Sequence, residues 1–249
     1  MYPPPYPTPF NSAHTRARIV KILLIAGAIA AGLSLVAEAV LLAVPPLADD
    51  QEIGENLVTV VVVLLRLLFA VLETIIYITT VVFFCMWLYR AYDNLRAFGH
   101  GQLDHSPGWA VGSFFVPFVN LVIPYRAVRE VWQKSAPPDE ALLSAPSPPA
   151  WFPIWWAFWL ISCFVDNISL RASFNEDIPE NVTTTIAIVA SALSIIAAGV
   201  AYLVVDAIDK RQEETSQKLN LGRFSGPPAP VDVQMWSTVT PGPQNPQQG

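Results

Sequence analysis

Arg90-Ala-Tyr-Asp-Asn94 leads through Ser106-Pro-Gly-Trp109 to Pro124-Tyr-Arg126, and this stretch decides how the chain is threaded. It alone mixes charge, aromatic rings, glycine and proline between long apolar runs. Pro107, Pro117 and Pro124 argue against one continuous helix, because each lacks an N–H and clashes with the turn before it. Yet Trp109 to Tyr125 is strongly apolar, holding Phe114, Phe115, Phe118, Leu121 and Ile123 among others. An apolar but broken segment between arginines reads as a re-entrant or interfacial piece, entering a membrane over 107–125 and returning to the same side.

The runs on either side of it set the class. Charged residues make up 14% of the 249, against about a quarter in soluble domains, so a membrane class follows. Apolar runs at about 19–44, 57–88, 151–170 and 182–205 are each long enough to cross hydrocarbon, which takes about 20 residues as a helix. The valine-rich start of the second run favours a strand in water. In lipid the backbone must satisfy itself, so a helix is expected there too. The first run outlasts a secretory signal core and is read as a span. The fold class is therefore an all-α membrane protein with four transmembrane helices and a proline-broken re-entrant or interfacial segment.

Outside the membrane domain, taken as 19–211, lie two tails. Residues 1–18 form a proline-rich leader, and 212–249 a polar, proline- and glutamine-rich tail, both expected to be disordered. Lysine and arginine flank the first run, the central stretch and the last run, while the two short loops carry acidic residues and a single arginine. Positive charge marks the cytoplasmic side, so both termini are placed in the cytoplasm of a multi-pass cell-membrane protein. A fifth crossing at 107–125 would strand one arginine cluster outside.

The central motifs carry a family resemblance. Trp87-x-x-Arg90-Ala-Tyr92-x-Asn94-Leu, Ser106-Pro-Gly-Trp109-Ala-Val-Gly112, Phe115-x-Pro117-x-x-Asn120-x-x-x-Pro124-Tyr and Glu130-x-Trp132 resemble the bacterial multi-pass family catalogued as domain of unknown function 4328. The resemblance runs from about Ile19 to Arg211. It implies a membrane location and a shared architecture, with no activity attached.

Two sets of residues are candidates for a site. Glu38, Arg66, Glu73 and Asp166 lie within apolar runs, where charge is costly and tends to be paired or functional. In antiparallel spans Glu38 and Arg66 differ in depth by about 5 Å, so they can pair. The second set is the central motif itself: Arg90, Tyr92, Asn94, Trp109, Pro117, Asn120 and Pro124. There the Asn120 amide, with Arg90 or Asn94, is expected to satisfy the broken backbone. His100, Asp104 and His105 lack the spacing of a metal site, and no triad, phosphate loop or dinucleotide fingerprint occurs. No enzyme activity, cofactor, metal or nucleic-acid partner is expected.

The expected partners are membrane lipids and a cytoplasmic protein bound through the proline-rich tails. Small-residue pairs such as Gly27/Ala31 and Ser194/Ala198 also allow a homo-oligomer. The functional expectation is a structural or partner-recruiting membrane protein. The alternative is a small transporter or channel component that uses the intramembrane charges.

Overall fold

A computed structural model describes residues 9–43, 57–137, 139–140 and 147–221. Residues 1–8 of the leader, 44–56, 138, 141–146 and the tail from 222 lie outside the described residues. So does the side chain of Arg66.

Six helices organise the rest: α1 (His14–Ala43), α2 (Leu57–Ala97), α3 (Pro107–Gly112), α4 (Ile123–Lys134), α5 (Trp151–Ser173) and α6 (Glu180–Lys218). Two single 3-10 turns, Ser113–Phe115 and Val119–Leu121, join α3 to α4. Helices α1, α2, α5 and α6 are long and apolar enough to cross a membrane. They are apolar all round rather than on one stripe, the pattern of a helix whose surroundings are lipid as well as protein. Their hydroxyls are largely absorbed locally. Thr74, Thr79 and Thr80 each donate to the carbonyl four residues back.

Three of these helices outrun their apolar cores. At about 1.5 Å per residue α2 is about 60 Å long and α6 about 58 Å, roughly twice a hydrocarbon core of about 30 Å. Two sequence boundaries are corrected as a result. Residues 14–18, assigned to the leader, are the first turn of α1. Residues 212–218, assigned to the disordered tail, continue α6, and Gln212 and Thr215 there are buried. Both corrections have one cause. Polar turns that packing stabilises carry no apolar signal of a span.

Helix α1 packs mainly on α6 and also on α2, while α5 packs on α6. The starts of α1 and α5 and the ends of α2 and α6 meet at one end of the bundle, called basal below. The core lies there. Trp87, Leu88, Tyr92 and Leu95 of α2, Phe152 of α5 and Val204, Val205 and Ile208 of α6 are all buried, with Ala17 and Val20 of α1. At the distal end Leu64, Leu67, Leu68, Ile75 and Tyr77 are all exposed.

The central segment returns. Gly99 follows the last turn of α2, and its φ of 93° suits a residue without Cβ. Its N–H donates to Arg96 O and that of His100 to Leu95 O, the paired bonds of a glycine C-cap. Ser106 then caps α3 by accepting from Trp109 N at 3.1 Å, with Pro107 opening the helix where its missing N–H costs nothing. Helix α4 buries Pro124, Ala127, Val128 and Val131, a 3-4 spacing that gives it one apolar face. Ala110, Ala127, Val128 and Val131 join the same basal core, so the segment enters and leaves at one end. Pro124 sits in the first turn of α4, where it starts a helix rather than breaking one.

Candidate functional site

Among the intramembrane charges, Glu73 of α2 accepts a hydrogen bond from Ser34 Oγ of α1 at 2.5 Å. Asp166 of α5 is exposed. Glu38 is half-buried on α1. The expected Glu38–Arg66 pair falls on a side chain outside the described residues. The structure therefore ties Glu73 to a serine that the sequence reading did not select.

The central motif is where polar groups converge. Tyr92 Oη donates to Glu130 Oε2 and accepts from the amide of His105 at 3.0 Å. Glu130 Oε1 accepts from the amide of Asp104 at 2.8 Å and from Lys134 Nζ at 2.5 Å, and Lys134 also reaches Gln102 O at 2.9 Å. One buried carboxylate thus holds α2, α4 and the 99–106 loop together. Burial alone would raise the Glu130 pKa. The bonds from Lys134, Tyr92 and the Asp104 amide outweigh it and leave the carboxyl below its ordinary range.

Asn94, one turn beyond Arg90 on α2, begins a second network. Its Nδ2 donates to Gln212 Oε1 at 3.3 Å, and Gln212 Nε2 donates to Ala91 O at 2.7 Å and to Ser135 Oγ at 3.0 Å. Thr215 Oγ1 donates to Ser135 O at 2.8 Å. The leader is tied in as well. Asn11 N donates to Asn94 Oδ1 at 3.3 Å, Phe10 stacks on Phe98 at 5.6 Å, and Ser12 donates to Glu213.

A charged layer closes the base. Lys21 of α1 pairs with Asp206 at 2.9 Å and Asp209 at 3.4 Å on α6, and His14 meets Asp209 at 2.9 Å. Arg211 lies 4.3 Å over the Trp132 ring and pairs with Glu140 at 2.7 Å.

The remaining motif residues divide. Arg90 pairs with Asp93 at 3.5 Å on its own helix. Trp109 is partly exposed, Pro117 exposed and Pro124 buried. The expected Asn120 lock is not made: the Asn120 amide side chain forms no hydrogen bond among the described residues, and Arg90 and Asn94 are engaged elsewhere. The broken segment is held instead by Trp156 of α5, whose Nε1 donates to Leu121 O at 2.9 Å. Phe114 adds ring contacts to Phe84, Trp156 and Trp159 at 5.8, 6.0 and 5.9 Å. An indole serves this site better than an amide, because it satisfies one carbonyl and is otherwise apolar. Cys85 and Cys163 are free thiols.

Sequence reasoning placed Glu130 in a motif without giving it a role, and it missed Lys134, Ser135, Gln212 and Thr215 as site residues. The four-residue spacing of Glu130 and Lys134 on an amphipathic helix was a usable signal. The partners of Gln212 lie 77 or more residues away, and no local pattern announces them.

Four apolar helices and a re-entering, proline-broken segment sealed by a polar base define a multi-pass helical membrane protein. A family model described as Domain of unknown function (DUF4328) matches residues 55–210, and the chain belongs to that family. The match covers the central motif and leaves α1 outside, so it is shorter than the resemblance read from the motifs. Comparison with the curated proteins and with the solved structures gives no match.

Proposed function

We propose that this chain is a non-enzymatic protein of the cell membrane whose basal end faces the cytoplasm and presents its proline-rich tails to a protein partner. The observation that carries this reading is the capture of the leader. Phe10, Asn11 and Ser12 are fixed on α2 and α6, so the Tyr-Pro-Pro-Pro stretch before them starts from a rigid base. Helix α6 ends at the same base, so both tails depart from it. Extended proline segments are ready ligands for aromatic grooves, and a fixed root lowers the entropy lost when one binds. The basic flanks of the spans lie at this end, which supports an inward-facing base. The transporter alternative rests on the intramembrane charges Glu38, Arg66, Glu73 and Asp166, of which Glu73 is already engaged by Ser34.

One cell-based experiment tests the proposal. Gly101→Cys and Glu176→Cys variants, in a chain lacking its two native cysteines, are labelled with an impermeant reagent from outside. Only the second is expected to react. Partners captured by the full chain are then compared with those captured by chains lacking residues 1–8 or 222–249. Loss of a partner with either tail supports recruitment, and an unchanged set removes it.

A further inference from the structure

The hairpin between α3 and α4 presents a surface that neither the bundle nor the basal networks use. Residues 107–125 contain no charged side chain. Phe114 faces inward onto α2 and α5, and its contact with Trp159 lies eight residues into α5, about 12 Å along that helix. The hairpin therefore runs beside the spans. Its apex points away from them: Phe118 is 86% exposed and Phe115 66%, with Leu121 and Val122 also exposed.

Phe118 also has a φ of 63°, the left-handed region that costs a bulky side chain energy. The protein holds a large apolar ring outward at that cost. Directly after the hairpin, Arg126 and Arg129 stand exposed on one side of α4, three residues apart. Neither makes an ion pair or a side-chain hydrogen bond among the described residues. Their only acidic neighbour on α4, Glu130, is turned into the core.

An uncharged apolar wedge followed within a few residues by two unpaired guanidinium groups matches the depth profile of one leaflet, acyl chains first and headgroups next. We propose that the 107–129 hairpin is a binding site for an anionic phospholipid of the leaflet it enters. Phe115 and Phe118 would lie among the acyl chains, and Arg126 and Arg129 would grip the headgroup phosphate. Arginine suits this role because its planar fork bonds phosphate oxygens two at a time. The proposal rests on the membrane reading above and names the lipid class that reading leaves open.

The test uses the full chain, purified in a non-ionic detergent and titrated with phosphatidylglycerol or phosphatidylcholine of matched acyl chains. Bound lipid is counted by native mass spectrometry. Wild type is expected to prefer phosphatidylglycerol. The double variant Arg126→Gln/Arg129→Gln is expected to bind it about thirty-fold more weakly, the worth of two basic residues at an anionic surface. Its thermal midpoint should match wild type, since both side chains are exposed and neither has a polar partner among the described residues. A charge-matched control, Arg18→Gln/Arg96→Gln, removes two positive charges elsewhere and should keep the preference.

A second arm reads the strain. Phe118→Gly is expected to raise the thermal midpoint and to lower lipid retention. Equal binding of the two lipids by wild type, an unchanged preference in the Arg126/Arg129 variant, or an equal loss in the control would each overturn the site. Competition by inorganic phosphate at equal concentration would assign the site to the free anion and overturn it as a lipid site. Failure of the membrane reading is distinguishable from all of these, because the chain would then wash out of cell membranes in alkaline carbonate.

Discussion

The two ends of this bundle are built by different rules. At the basal end Trp87, Tyr92, Leu95 and Phe152 are sealed from any solvent and interleaved with hydrogen-bonded polar groups. At the distal end α2 leaves Leu67, Leu68 and Ile75 exposed. The contrast follows from the solvent each end meets. In hydrocarbon a leucine gains little by leaving lipid for protein, so distal helices need not bury their side chains. Where helices pass beyond the hydrocarbon, apolar area in contact with water is unfavourable by about 25 cal/mol per Å2, and a core must form. The basal end is in effect a small water-facing domain built on membrane helices.

The largest test of that contrast compares core truncations. Trp87→Ala is expected to lower stability by about 3–5 kcal/mol, as for large aromatic residues in soluble cores. Leu68→Ala at the distal end is expected to fall within about 0.5 kcal/mol of wild type. Reversible denaturation in mixed micelles reads both. Similar losses at the two sites would mean the distal end has a core of its own.

The next effect belongs to the Glu130 network. Tyr92→Phe removes the hydroxyl that both donates to Glu130 and accepts from the His105 amide, and should cost about 1–3 kcal/mol. Because the folded pKa of Glu130 is depressed, its contribution is present above the ordinary glutamate pKa of about 4.3 and is lost as pH falls through the lower folded value. A Glu130→Gln variant should be destabilised at neutral pH and flatter than wild type across that acid range, read as thermal midpoint against pH. A parallel curve would remove the carboxylate from the account.

The smallest effect sharpens the hairpin. Trp156→Phe keeps most of the ring but leaves Leu121 O without its donor, and should cost about 0.5–1.5 kcal/mol. Asn120→Leu, which the sequence argument expects to be destabilising, should change little, since that amide bonds nothing among the described residues. Thermal unfolding in one detergent ranks the two variants. The reverse order would restore Asn120 as the lock.

What the sequence made legible divides along the same line. The spans follow from apolar length alone, and the return of 107–125 follows from where arginines and prolines fall. The importance of Tyr92 and Asn94 is visible as a motif, but their partners are not. Glu130 is 38 residues from Tyr92 and Gln212 is 118 from Asn94, and those pairings exist only once four helices have met at one end. Hydropathy also stops α6 too early, because Gln212 and Thr215 look like tail while acting as core. Asn120 illustrates the opposite error. A polar residue beside a proline invites a hydrogen-bonding role that a tryptophan 36 residues later fulfils.

The contact between Ser12 and Glu213 spans 201 residues, and it has a consequence for assembly. The chain is made from its amino end, so the leader and α1 emerge long before the last turns of α6 exist to receive them. The four helices can insert one after another while the base stays open. The Glu130 network needs only residues up to Lys134, whereas the Gln212 network closes last, after Gln212 and Thr215 have been translated. Until then Asn94 and Ser135 lack their partners on α6, so the nascent chain passes through an interval in which these polar groups of its base are unpaired with α6.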